Sequence, residues 1–301
     1  MPITTGSFAK DLWPGVKTWY GLKYKEYPLQ YTSCFDITKS SLAFEEEVGA
    51  TGFGLAQVKP EGSSITYDDM SQGFVTRYTH ITYSLGFIVT REMKEDGIAV
   101  TKSIARAGSL AFSNRQTKET ICANIFNRAF NSSYVGGDGK EMCATDHPNK
   151  SGGTWRNELS TAADLSEAAL EQAYIDIEDF KNDRGLLISV HPTHLLIPSE
   201  LRFEADRILE SPLRVAVANN DINALKNTGA IGGYMVNNYL TDADAWFLKT
   251  DCPDGLRYFE RRGDELDLDS DFDTENAKFK STMRFSVGHT DPRGVFGSPG
   301  A

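Results

Sequence analysis

Long apolar runs are missing from this chain of 301 residues. No stretch approaches the roughly 18 consecutive apolar residues that a membrane-spanning helix needs. Basic charge is in short supply: 31 Lys and Arg against 42 Asp and Glu leave a net charge of −11. At the whole-chain level, that excludes a footprint for gripping a nucleic-acid backbone. Cysteine and histidine are scarce, at four and five residues. Cys34, Cys122, Cys143 and Cys252 stand far apart, with no C-x-x-C pair to suggest a zinc ribbon or a dithiol redox centre. The opening Met1–Ser7 has neither a cationic nor an apolar signal region, so no secretory leader is expected. Reduced, unpaired thiols in a cytosolic setting follow as the expectation. Serine-nucleophile G-x-S-x-G and zinc H-E-x-x-H motifs are also absent.

What is present describes a folded protein. Hydrophobic residues are 40%, charged residues 24% and aromatic residues 11%, which excludes global disorder and supports a sizeable core. Residues 1 to about 50 carry Trp13, Trp19, Tyr20, Tyr24, Tyr27 and Tyr31 without a steady period. Pro14 and Pro28 are expected to interrupt any long element there, leaving an arm that lies along its own body or a neighbour's. Alternation is clearest in Val75, Arg77, Thr79, Ile81, Tyr83, Leu85, Phe87 and Val89, a strand pattern preceded by a shorter run, Ile65–Tyr67. The two runs read as a long β-hairpin excursion with a polar tip, and such a hairpin needs a partner surface.

From Asp96 to Phe130 the apolar spacing becomes three and four, predicting a helix of about 45 Å. A second helix is expected from Asp164-Leu165-Ser166-Glu167, capped by Asp164 and closed by Gly185. A buried strand, Leu186–Val190, and a helix from Pro198-Ser199 should follow, which marks an α/β unit. Four terminal strands are expected at Trp246–Lys249, Leu256–Arg261, Leu266–Phe272 and Phe279–Val287.

Candidate chemistry is thin. Gly136-Gly137-Asp138-Gly139-Lys140 follows a helix rather than a strand and lacks the phosphate-loop spacing, so it reads as a turn. His191/His194 and Cys143/His147 lack the further ligands that zinc requires. Asp267, Asp269, Asp271 and Asp273 fail as an EF-hand loop, because Phe272 and Lys278 occupy its glycine and glutamate positions. As a strand they share one face, to be met by solvent, a basic neighbouring chain or a cation. No cofactor and no metal is expected, and the soluble α/β enzyme that scattered carboxylates would allow has no constellation to support it.

The order of arm, excursion Gln57–Tyr83, long helix Asp96–Phe130, segment Leu186–Pro192 with Leu196-Ile197-Pro198, and ending Arg284–Gly294 carries a resemblance. It resembles tailed-phage major capsid proteins of the Hong Kong 97 type, nearest to the Mu-like head subunits, over almost the whole chain. The resemblance implies an α+β fold divided into an N-terminal arm (1–50), an extended β-loop (51–90) and a peripheral domain with a spine helix (91–134). An axial domain (135–245) and peripheral strands with a tail (246–301) complete it. It also implies hexamers and pentamers of an icosahedral shell around double-stranded DNA, assembled in the host cytoplasm. Partners would be other copies of the chain, a portal protein, and scaffolding or decoration proteins. Some relatives weld subunits through a Lys–Asn bond; Lys59 lies where such a lysine would sit, and no partner asparagine is identified. Assembly contacts are expected at Trp13, Trp19, Lys59, Glu61, Tyr67, Met70, Arg77, Asp267, Asp269 and Asp271. An encapsulin-like nanocompartment shell of the same fold is the alternative.

Overall fold

A computed structural model describes residues 6–95, 99–214 and 221–301. Its helices are α1 (Gly6–Tyr24), α2 (Tyr31–Cys34), α3 (Arg91–Glu95), α4 (Ala99–Asn127), α5 (Glu167–Glu178), α6 (Arg202–Glu210) and α7 (Ala224–Thr228). Its strands begin with β1 (Asp36–Lys39), β2 (Phe44–Ala50), β3 (Gln72–Thr79), β4 (Ile81–Val89), β5 (His147–Pro148) and β6 (Thr154–Trp155). They continue with β7 (Pro192–Ile197), β8 (Tyr234–Val236), β9 (Trp246–Thr250), β10 (Leu256–Ser270), β11 (Ala277–His289) and β12 (Val295–Ser298). Two four-stranded sheets dominate, ordered β1-β10-β11-β4 and β12-β9-β7-β8; β2-β3 and β5-β6 pair separately.

The helix α4 is the expected spine. Ala107, Leu110, Ala111, Cys122, Ala123 and Phe126 are buried along it at helical spacing. Its first half packs with Val16, Tyr20, Val89, Leu266 and Phe279, and its second half with Phe247, Tyr258, Met283 and Phe285. A third core lies in the α/β unit, where Leu170, Ile177, Leu195, Ile208, Trp246 and Phe296 meet.

Local readings diverge from the structure where tertiary partners intervene. α1 runs through Pro14 because Val16 and Tyr20 bury one side of it against α4, and packing of this kind outweighs propensity. The long alternation of 75–89 is two strands, not one. β3 pairs with β2, and β4 pairs with β11. The break falls at His80, a buried ring whose nitrogens meet Ser286 Oγ at 2.9 Å and Ser40 Oγ at 3.0 Å. No strand forms at Ile65–Tyr67.

Leu256–Arg261 and Leu266–Phe272 fuse into the single strand β10, with register shifts between Glu260 and Glu265. The cap of α5 is Ser166, whose hydroxyl accepts from Ala169 N–H at 3.2 Å, whereas Asp164 accepts the Ala301 N–H at 2.9 Å. Gly185 belongs to a separate turn in which Asn182 Oδ1 accepts the N–H groups of Arg184 and Leu186, both at 2.9 Å. That turn displaces the expected strand, and β7 starts instead at Pro192.

Candidate assembly interface

The stem of the excursion is the β2–β3 pair, with Phe44 opposite Thr79 and Ala50 opposite Gln72. Thr51 closes it: its N–H donates to Ser71 O, and Ser71 N–H donates back to Thr51 Oγ1, each at 3.1 Å. Every residue from 53 to 72 is exposed. Leu55, Val58 and Tyr67 are 76%, 93% and 85% exposed, a large apolar area for a chain to leave in water. The loop has a little order of its own. Asp68 Oδ2 accepts Gly54 N–H at 2.7 Å, and Arg184 reaches both Asp68 and the Asp69 carbonyl. The N–H groups of Gly54 and Asp69 hold the Asp68 carboxyl below the usual carboxylate range.

The residues expected at assembly contacts fall into three groups. Lys59, Glu61, Tyr67 and Met70 lie together on this exposed loop, and Arg77 stands on its stem. The Arg77 guanidinium lies 3.8 Å from the Phe44 ring centroid and 3.7 Å from Glu46 Oε1. Trp19 is on α1, its indole over the bare Cα of Gly108, where an added Cβ would sit 3.2 Å from Nε1. Trp13 is also on α1, but its side chain lies outside the described residues.

The acidic group is elsewhere, on the β10–β11 hairpin. There Asp267 faces Lys280 and Asp269 faces Lys278 across the ladder, and Asp271 accepts Lys278 Nζ at 2.5 Å. The chain's own next strand thus sets lysines opposite the acidic face, one of them paired with Asp271. Asp271 itself stands in the turn after β10, and Lys278 holds its carboxyl low.

Two further devices escape a reading by motif. The first joins loops around His147, which is fully buried and stacked on Trp155 at 4.7 Å. Its Nδ1 meets Asp138 Oδ2 at 2.6 Å, and its Nε2 meets Asn157 Oδ1 at 2.9 Å. The orientation of Asn157 is settled by its neighbours. Its Nδ2 serves the carbonyls of Met142, Pro292 and Val295 at 2.8–2.9 Å, while its Oδ1 accepts Ala144 N–H at 2.9 Å. Both ring nitrogens of His147 thus face oxygen atoms of the chain itself. Burial pushes the Asp138 carboxyl up, but the hydrogen bond and charge of His147 outweigh it and leave the group low. His289 is adjacent, and burial pushes its imidazole down to about 4.

Gly137 ties this cluster to the stem, since an added Cβ would fall 2.8 Å from the Val75 carbonyl oxygen. Among the described residues no three His, Cys, Asp or Glu side chains gather to hold a metal.

The second device fixes the arm. Glu119, buried on α4, accepts the Gln30 and Tyr31 N–H groups at 2.8 and 3.0 Å, while Arg115 donates to the Pro28 carbonyl. Farther along, Tyr20 and Ser281 both donate to Asp264, and Asn114 Nδ2 reaches Tyr20 Oη at 3.0 Å. A glutamate and an arginine four apart on a helix gave no sequence signal beyond an ordinary surface pair.

An arm on a spine helix, a protruding loop, a hairpin-bearing sheet and an α/β unit define the Hong Kong 97-like fold of viral shell subunits. Solved structures share it. The virus-like particle from Pyrococcus furiosus aligns over 95% of this chain and 98% of its own, with 9% identity and a TM-score of 0.51. Mycobacterium phage Che8 aligns over 90% of both chains, with 14% identity and a TM-score of 0.52. The procapsid of bacteriophage JBD30 covers 98% of this chain and 76% of its own, with 12% identity and a TM-score of 0.53. The family model described as Phage capsid protein matches residues 74–297, and the chain belongs to that family. No curated protein matches the sequence.

Proposed function

We propose that this major capsid protein self-assembles through hexamers and pentamers into an icosahedral shell that confines double-stranded DNA. The observation that carries the proposal is the excursion. Twenty consecutive exposed residues hold Phe53, Leu55, Val58, Ile65, Tyr67 and Met70 outside every core of their own chain. A segment of this kind costs solubility unless a neighbour covers it. Residues 1–50 act as the arm, 51–90 as the extended loop, 91–134 and 246–301 as the peripheral domain, and 135–245 as the axial domain. The role is structural, and a net charge of −11 suits a wall that confines DNA without binding it.

Assembly in the host cytoplasm onto a portal protein, with scaffolding or decoration partners, completes the reading. Size-exclusion chromatography followed by negative-stain microscopy tests it. Closed particles of megadalton mass support it, and a small soluble oligomer contradicts it. The near-complete alignment with the archaeal virus-like particle favours one second reading, a shell that does not carry a phage genome. Nucleic acid protected from nuclease inside particles made in infected cells separates the two.

A further inference from the structure

Among the described residues, two cavities border the β2–β3 stem, and their charges differ. One, of about 530 Å³, is lined by five carboxylates and two arginines that are spent on one another or on a neighbour. Arg257 pairs with Glu47 at 3.1 Å and with Asp254, and Arg293 pairs with Asp291 at 3.3 Å and Asp183 at 3.4 Å. The fifth carboxylate, Asp138, bonds His147 at 2.6 Å.

The other cavity, of about 390 Å³, lies between β3, the end of α4, loop residues 134–137 and the end of β11. Its lining holds Arg77, Arg128 and His289 and no carboxylate, in a chain with 42 Asp and Glu against 31 Lys and Arg. The Arg128 guanidinium lies 4.3 Å from the Tyr134 ring centroid, and no carboxylate of the described residues stands within ion-pair distance of it. Arg77 has Glu46 at 3.7 Å, longer than a hydrogen bond. Burial holds the His289 imidazole neutral, so the charge of the lining is that of the two arginines. The glycine turn beside them is not a phosphate nest. Gly136 N–H donates to Lys140 O at 2.7 Å, and Gly139 N–H donates to Gly136 O at 3.2 Å.

The geometry points to a binding site for a small carboxylate with an apolar body, held by Arg128 and Arg77. A guanidinium with no anion beside it accepts a carboxylate through two parallel N–H···O bonds. Stacking on Tyr134 already restricts the Arg128 side chain, so less freedom is lost on binding. Val75, Ile125, Met142 and Val287 supply apolar walls for the body of the ligand. The volume falls within the range of about 300–1,000 Å³ usual for small-molecule sites. A ligand there touches β3, α4 and β11 at once and ties the stem of the excursion to the spine helix. The site does not depend on the shell reading above.

Calorimetric titration of the full chain with benzoate and phenylacetate tests the site, with benzamide as the neutral analogue. Both carboxylates should bind in the millimolar range or tighter, and benzamide about tenfold more weakly or not at all. Arg128→Gln should weaken benzoate binding about tenfold, and Arg77→Gln by a smaller factor, with the unfolding midpoint of each unliganded variant unchanged. Saturating benzoate should raise the unfolding midpoint of the parent and leave that of the double variant where it was. A parent chain that binds neither carboxylate, or that binds benzamide as tightly as benzoate, overturns the site. So does an Arg128→Gln chain with the parental midpoint that binds benzoate like the parent. The comparison of benzoate with benzamide needs no variant and decides the requirement for charge by itself.

Discussion

The hairpin of β10 and β11 and the excursion at 51–71 are both long protrusions, yet the chain treats them in opposite ways. On the hairpin, alternate residues have partners on both faces. Leu266, Ala277 and Phe279 bury against α1 and α4, while Asp267 and Asp269 stand opposite Lys280 and Lys278 in the ladder and Lys278 pairs with Asp271. On the excursion the apolar residues touch no core, and the backbone has no ladder beyond Thr51 and Ser71. One protrusion is finished within the subunit, and the other, on the proposed reading, is finished by assembly. Alternation in sequence does not separate these cases, because what differs is where the partner comes from.

The contrast breaks most visibly through the hairpin core. Phe279 is buried and stacked on Phe87 at a centroid distance of 4.7 Å. Phe279→Ala should cost about 3–5 kcal/mol of unfolding free energy, read by urea denaturation. A cost below about 1 kcal/mol would mean that the hairpin face is as dispensable to the fold as the excursion.

The His147 cluster sharpens the same contrast at the base of the stem. His147→Gln removes the ring nitrogen that bonds the buried Asp138 carboxylate at 2.6 Å, and about 3 kcal/mol should be lost. In the double variant with Asp138→Asn most of that loss should return, since no uncompensated charge remains.

Acid acts on this cluster with a defined sign. His289 is held neutral, down to about 4, against about 6.5 in an unfolded chain. The unfolded state therefore binds more protons between those values, and stability falls as pH drops from about 6.5 to 4. Burial also lowers the His80 imidazole and adds a loss of the same sign. Asp138, whose carboxyl is low, stabilises the fold above the ordinary carboxylate range, and that contribution is lost as pH falls through its lowered value. Unfolding free energies measured from pH 8 to pH 4 should fall, and His289→Gln should flatten the upper part of the fall. A flat profile in the parent would contradict the burial of these imidazoles.

Much of the frame was legible in the sequence. The spine helix shows itself because α4 keeps one apolar stripe over its whole length, and the terminal strands because β11 alternates cleanly. The polar residues of the loop tip were legible, but the exposure of Phe53, Leu55 and Val58 beside them was not. The helix across Pro14, the division of 75–89 at His80 and the turn at Asn182 were not legible. Each is decided by a contact with a residue remote in sequence or by a side chain bonding to backbone. The setting of the acidic strand was not legible either: Lys278 and Lys280 were visible, but register alone places them opposite Asp269 and Asp267. The buried clamps, His147 with Asp138 and Glu119 with Arg115, carry no motif at all.

The central claim is that the excursion belongs to the assembly and not to the fold, and its replacement by a short Gly/Ser turn between Gly52 and Ser71 tests it most directly. Loop-closure entropy varies weakly with length, and the contacts removed are exposed ones such as Arg184 with Asp68. Urea denaturation should therefore show the unfolding free energy unchanged to within about 1 kcal/mol, while sedimentation of the same sample shows free subunits or capsomers and no closed particles. A variant that closes normal shells, or one that loses several kcal/mol of stability, would contradict the account.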